Sequence, residues 1–240
     1  MPGPIKTDAI VLRSLRYGEA DRILHLYTPQ RGRIGAIAKG VRRTRSRFGG
    51  RLEPFCRVRL VCHEGRGELL TVTGVETLDA HGALREHAAT LDGAARACDA
   101  VARIFETGEP HPEVYNLLAN ELALLAADPA QASHANALAF RLKLLVAAGL
   151  APALASCASC GEVENIAAFS AAAGGVVCGA CEAGSFPFGI ETYEFMTAAL
   201  ALPLAQAPTA GPIALREAER AIGETLEHHH HLHLRAAVAR

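Results

Sequence analysis

Four of the seven cysteines fall in two pairs, Cys157-Ala158-Ser159-Cys160 and Cys178-Gly179-Ala180-Cys181, with seventeen residues between Cys160 and Cys178. A C-x-x-C turn presents two thiolates from one tight bend. Two such turns complete a tetrahedron around a borderline-soft ion such as zinc. The stretch between them carries the short β-like run 166–170 and the turn Gly174-Gly175, the layout of a zinc ribbon. One structural Zn2+ held by Cys157, Cys160, Cys178 and Cys181 is therefore expected. A redox dithiol is the rival chemistry, since a single C-x-x-C also serves thioredoxin-type exchange. It leaves the second pair unexplained, and no βαβ pattern surrounds either pair. A catalytic zinc needs an open coordination position, and four thiolates close the shell. His111-Pro112-Glu113 matches the H-x-E half of a zinc deaminase signature, but neither cysteine pair is preceded by proline. Cys56, Cys62 and Cys98 lie on apolar stripes and read as core residues.

A second constellation is electrostatic. The segment Lys39-Gly40-Val41-Arg42-Arg43-Thr44-Arg45-Ser46-Arg47-Phe48-Gly49-Gly50-Arg51 holds six cations and no acid in thirteen residues. Guanidinium groups fork onto phosphate oxygens, and an interleaved aromatic can stack on a base. Lys39, Arg42, Arg43, Arg45, Arg47 and Arg51 are the expected phosphate contacts. Arg16 and Arg33, with Arg13, Arg57 and Arg59, are weaker candidates that depend on which strand face points outward. Phe48 is the stacking candidate, with anchorage of the loop to the core as its other role. The bland alternative is a mobile, solvated loop without a partner. Charge along the chain favours a partner: residues 1–70 hold fifteen basic and six acidic side chains, a net of +9, while residues 71–240 hold nine and nineteen, a net of −10. A field of one sign recruits partners of the other. The P-loop, dinucleotide-binding, H-E-x-x-H and G-x-S-x-G signatures are all absent, which leans away from an enzyme.

These groups need elements to hold them. A chain of 240 residues, 50% hydrophobic and 20% charged, is long enough to bury a sizeable core and too apolar for disorder. No charge-free apolar run is long enough for a membrane span, and the N-terminus lacks a signal-peptide layout. A cytoplasmic protein with reduced thiols is expected. Up to about residue 75 the pattern is β. The runs 9–12, 22–28, 34–38, 55–63 and 69–73 are bounded by turn residues. In the fourth, Cys56, Val58, Leu60 and Cys62 alternate with Arg57 and Arg59. Five short strands without an intervening helix predict an OB-fold β-barrel, with a small sandwich as the alternative. From about residue 80 apolar residues recur at three- and four-residue steps. They predict helices over about 84–105, 114–125, 133–149, 191–202 and 212–238, packed as a bundle. Ser133 and Gly149 suit the two caps of the third. The expected class is multi-domain α+β: an OB-fold nucleic-acid-binding domain over 1–80, an all-α helical bundle over 81–155 and 185–240, and an inserted four-cysteine zinc ribbon over 156–184. The histidine run 228–231 with His233 lies inside the last predicted helix. Only a pair at helical spacing, such as His229 and His233, could converge on a metal there.

The motifs 17–22 (Tyr-Gly-Glu-Ala-Asp-Arg), Gly32-Arg33-Ile34, Ala38-Lys39-Gly40-Val41-Arg42-Arg43 and 46–55 (Ser-Arg-Phe-Gly-Gly-Arg-Leu-Glu-Pro-Phe), in this order, resemble the RecO family of DNA repair proteins. The likeness is dense over residues 5–60 and architectural beyond. The zinc cysteines are not found in every member of that family, so they support the match without defining it. The resemblance implies a non-enzymatic recombination mediator of the RecF pathway. Such a protein binds single- and double-stranded DNA and anneals complementary strands. With RecR it helps load RecA onto strands covered by single-strand-binding protein. A bacterial, nucleoid-associated location follows from the same likeness. Another OB-fold module, for RNA, is the alternative in the same chemical class.

Overall fold

The computed structural model of the protein describes residues 3–44, 46, 48–65 and 67–238. Five strands, β1 (Ile5–Tyr17), β2 (Asp21–Thr28), β3 (Gly32–Ala38), β4 (Arg57–His63) and β5 (Leu70–Asp79), form a closed barrel in the order β1-β2-β3-β5-β4. All pairings are antiparallel except β3 with β5. This is the OB-fold expected from the five runs. Alternation decides what goes inside: Val58, Leu60 and Cys62 of β4, Leu24 and Leu26 of β2, and Ala36 and Ala38 of β3 meet in one core. β1 is much longer than its apolar run 9–12, because its two halves serve different partners. Residues 5–10 pair with β4 and residues 10–17 with β2, with a bulge between Val11 and Arg13. A bulge changes which face each side chain takes, so no single alternation spans the strand in the sequence.

Helices α1 (Ala88–Ile104) and α2 (Pro112–Ala127) pack on each other and against β1 and β2. Phe105, after α1, packs edge-on to the buried Tyr27 ring at 6.4 Å and lies 5.2 Å from His111. The β2–β3 turn comes so close to the connection between the helices that a Cβ on Gly32, at φ +54°, would collide with the Glu109 carbonyl. Only glycine suits both the left-handed backbone and that approach.

By its internal contacts the chain divides into two compact units, one ending at Pro129 and the other beginning at Ala130. The second unit holds α3 (His134–Ala147), α4 (Ile190–Ala201) and α5 (Pro212–His230), which pack on one another, and a small sheet of β6 (Ile166–Ser170), β7 (Gly175–Cys178) and β8 (Phe186–Pro187) in the order β7-β6-β8. Ser133 caps α3 by accepting a hydrogen bond from the Asn136 backbone N–H at 3.1 Å, as its residue type predicts. Lys143 Nζ donates to the carbonyls of Leu200 and Leu202 at the end of α4, neutralising its exposed C-terminal groups. The last helix ends earlier than the apolar pattern predicts. His231 turns left-handed at φ 52°, and the Leu232 N–H reaches back to the Leu226 carbonyl at 3.3 Å. That pairing closes the helix with a reversal. His233 therefore leaves the helical face of His229. It pairs with Glu227 at 2.7 Å instead.

Candidate functional site: nucleic-acid interface and metal centre

Two turns of the barrel are locked together. The Arg42 backbone N–H donates to the Ala20 carbonyl at 2.9 Å, and the Arg42 guanidinium donates to the Glu19 carbonyl at 3.0 Å. The Gly40 N–H donates to Asp21 Oδ1 at 2.7 Å. The turn after β3 thus rests on the turn between β1 and β2. Lys39, Arg42 and Arg43 stand exposed on one, and Arg16 is exposed at the end of β1. Among the described residues no carboxylate forms an ion pair with Lys39, Arg42, Arg43, Arg13 or Arg16. Two of the nearby carboxylates are used elsewhere, and Glu19 lies exposed in the β1–β2 turn itself. Glu53 pairs with Arg22 at 2.9 Å, and Asp21 holds the Gly40 amide.

The other basic candidates divide by geometry. Arg51 is exposed, on a single 3-10 turn at Gly49–Leu52. Arg33 is half-buried and donates to the Ala102 carbonyl in α1 at 3.0 Å, so part of its donor set serves packing. Arg59 pairs with Asp8 at 2.9 Å and Glu76 at 3.7 Å. Arg57 is half-buried. Arg45 and Arg47 lie outside the described residues. Phe48 corrects the stacking expectation. Its ring is only 2% exposed and joins Val41 and Leu52 inside the barrel core. It is the loop's anchor, because a large aromatic in a segment of cations and glycines is the one group there that gains much by leaving water. Among the described residues of the barrel, the aromatic ring that is exposed is that of Tyr17, 53% accessible at the end of β1 and opposite Asp21. In the sequence it opens the motif 17–22 and carries no assigned role. Its signal was its place two residues beyond Leu15 and four beyond Arg13, on the outward face past the bulge.

In the second unit the four cysteines converge. Their sulfur atoms all lie within 4.8 Å of one another, and Cys160 Sγ is 3.7 Å from Cys178 Sγ. Backbone hydrogen bonds shape the two knuckles. The Cys157 N–H donates to the Glu162 carbonyl at 2.7 Å, the Gly161 N–H to the Cys157 carbonyl at 2.8 Å, and the Cys181 N–H to the Cys178 carbonyl at 2.9 Å. Segment 153–158 runs beside β7, bonding at Ala153 and Ala158, and brings the first knuckle to the second. Ala168, Val177 and Ile166 back the cluster with apolar contacts. The backbone N–H of Cys178 is the main influence drawing the Cys157 thiol down to about 6, while its neighbours Cys160 and Cys178 push Cys181 up to about 12. Four thiolates this close repel one another, so full deprotonation needs a cation between them. The cluster is therefore suited to hold one metal ion.

Residues 1–81 match the family model described as "Recombination protein O N terminal", and residues 85–236 match "Recombination protein O C terminal". The chain belongs to the RecO family of DNA repair proteins. It is 42% identical to the DNA repair protein RecO of Rubrobacter xylanophilus over 224 residues, covering 90% of this chain and 89% of the relative. The RecO of Anaeromyxobacter dehalogenans is 37% identical, with 94% and 91% covered, and that of a Nocardioides species 38%, with 93% of each. The RecO likeness seen in the motifs of residues 5–60 thus extends over the helical part. Among the described residues no helix is long and apolar enough to cross a membrane.

Proposed function

We propose that this protein is a recombination mediator acting in gap repair. It binds single- and double-stranded DNA without reading sequence and anneals complementary strands. With RecR it helps load RecA onto strands coated by single-strand-binding protein. It catalyses no covalent step, and it works in the cytoplasm at the nucleoid. The barrel, residues 1–80, is its DNA-binding domain. The helices over 81–155 and 185–240 carry the ribbon, 156–184.

The observation that carries this reading is the set of exposed cations, Lys39, Arg42 and Arg43 on the turn after β3 and Arg16 at the end of β1, which form no ion pair with a carboxylate among the described residues. Such a surface gains from phosphate mainly by releasing condensed counterions, which favours any strand of high charge density over any one sequence. Arg45, Arg47 and Arg51 belong to the same segment and add to its charge. Annealing follows from the same physics. Two phosphate backbones repel until cations lie between them, and side chains that hold only phosphates leave the bases free to pair.

The ion in the cysteine cluster is Zn2+, in a structural role. With Zn–S bonds of roughly 2.3 Å a tetrahedron has edges of about 3.8 Å, and the 3.7 Å between Cys160 and Cys178 supports that ion. Zinc would hold the four thiols as thiolates and tie the two knuckles together. The DNA-binding assignment is tested by gel shift. Lys39→Ala/Arg42→Ala/Arg43→Ala should weaken binding to single strands and duplexes alike, more at low salt than at high. Wild-type affinity in that variant would remove the assignment.

A further inference from the structure

The stretch from Leu144 to Leu215 has a charge pattern that neither the phosphate-binding turns nor the cysteine cluster explains. Lysine and arginine make up 24 of the 240 residues, yet residues 144–215 contain neither, and no histidine. The same stretch carries five carboxylates, Glu162, Glu164, Glu182, Glu191 and Glu194. All five are exposed, and among the described residues none of them forms an ion pair. Within this stretch, between β6 and the start of α4, lies a cavity of about 340 Å³ lined by Leu154, Val163, Ile166, Phe188, Ile190 and Tyr193. Its floor is fixed, because Phe188 is buried with its ring 5.6 Å from that of Phe169. Its walls are open: Val163 and Ile190 are 68% and 73% exposed.

Two devices hold those walls in place. Glu162 Oε1 accepts hydrogen bonds from the N–H groups of Val163 at 2.8 Å and Glu164 at 2.9 Å, a turn that stands Val163 on the surface. The starts of α4 and α5 are tied to each other by exchanged carboxylates. Glu217 of α5 accepts from the Gly189 N–H at 3.0 Å, and Glu191 of α4 accepts from the Gly211 N–H at 2.6 Å. Each carboxylate satisfies an amide at the other helix's N-terminus. Ile190, the first residue of α4, is thereby held at the mouth of the cavity.

We propose that this cavity and its acidic rim are a docking groove for another protein, taking a segment in which a bulky aliphatic or aromatic side chain is flanked by lysines or arginines. The inference goes beyond the DNA-binding reading, and neither depends on the other. The apolar lining selects the anchor. A side chain seated there removes Val163 and Ile190 from water together with itself, which is where most of the affinity of such a groove arises. The volume is at the small end of ligand cavities, which run from roughly 300 to 1,000 Å³, and suits an anchor side chain or two of a longer segment. The rim selects the flanks. Glu162 and Glu164 bracket Val163, and Glu194 lies one helical turn from Ile190, on its face of α4. With no cation of the stretch to compete, these carboxylates are free for a partner's ammonium or guanidinium groups, which fix its register and speed its approach. The same charges repel phosphate backbones, anionic lipid surfaces and acidic segments. A second copy of this chain would have to offer its barrel cations, which are the groups exposed for phosphate.

The test is a selection of random twelve-residue peptides, displayed on phage, against the full-length protein, followed by affinity measurements on the winners. A class of peptides with Leu, Ile or Phe between basic residues should emerge. It should lose roughly ten-fold in affinity for Ile190→Ser and for Val163→Ser. Glu164→Gln/Glu194→Gln should weaken the same peptides, more at low salt than at high. Both serine variants alter exposed side chains, and wild-type DNA affinity in gel shifts shows that they are folded and that the groove is separate from the DNA surface. The proposal is overturned if no selected peptide depends on Ile190, or if those that do are acidic or uncharged. It is equally overturned if sedimentation shows a wild-type dimer that Ile190→Ser dissociates, since the occupant is then a second copy.

Discussion

The barrel turns and the cysteine knuckles both gather like groups, and they treat them in opposite ways. Around Lys39, Arg42 and Arg43 the backbone and one exposed bond from the Arg42 guanidinium pin one turn to another, and the three side chains stay exposed to water. Around Cys157, Cys160, Cys178 and Cys181 the backbone folds two turns inward until four sulfur atoms share one small volume. The difference follows from the ligand. A polyanion is long, and its charges are spread, so cations serve it best when separated and exposed. A metal ion is a point, so its ligands must converge, and their mutual repulsion is relieved only when the ion is present. The first arrangement contributes little to folding and the second depends on its ligand for it.

That contrast can be broken by removing each half in turn. The largest effect is expected from Cys157→Ser/Cys160→Ser. Metal analysis of freshly purified protein should fall from about one zinc per chain to none, and the ribbon should unfold, since structural zinc in small sites is worth about 10 kcal/mol or more. DNA affinity should hardly change. A matching loss of DNA binding would mean that the two sites are not separate devices. Next is Phe48→Ala. Emptying a buried aromatic site costs about 3–5 kcal/mol, so denaturant unfolding of the barrel should shift to lower concentration. A variant of full stability with weakened single-strand binding would return Phe48 to the DNA surface.

Smaller in energy, and sharper as a test of exposure, is Lys39→Ala/Arg42→Ala/Arg43→Ala. The slope of log affinity against log salt should flatten by about three, nearly one for each phosphate that the variant no longer neutralises, with the melting temperature unchanged. The smallest effect concerns His25. Its pKa in the folded barrel is lowered from 6.5 by burial and by Arg33 and Arg13. The unfolded chain therefore takes up a proton more readily, and the barrel loses stability as the pH falls below about 6.5. The loss is complete once the pH is under the folded value. His25→Gln should flatten that part of the stability profile in thermal melts at pH 5 and pH 7.5.

Much of this was visible before any fold was known. The second cysteine pair turned a common redox motif into a metal site, and Cys56, Val58, Leu60 and Cys62 alternating with two arginines marked β4. Residues that must satisfy two partners were harder to place. Phe48 sits among cations, and only the neighbouring Val41 and Leu52 in the core show that its ring is buried. Tyr17 looked like punctuation in a turn, because the bulge between Val11 and Arg13 breaks the alternation that would have marked it as outward-facing. The apolar pattern of the last helix runs past His230, and the left-handed turn at His231 that ends it has no glycine to announce it.

Local chemistry, then, was settled by residue type and spacing: which groups carry charge, which can ligate, and which stretches alternate or recur at helical steps. These depend on neighbours within a turn or two of chain. Whether an aromatic faces water or core, which cations escape a carboxylate, and which strands lie side by side depend on contacts between residues far apart in sequence. Packing alone makes those choices, because each is decided by the partner that arrives from elsewhere in the fold.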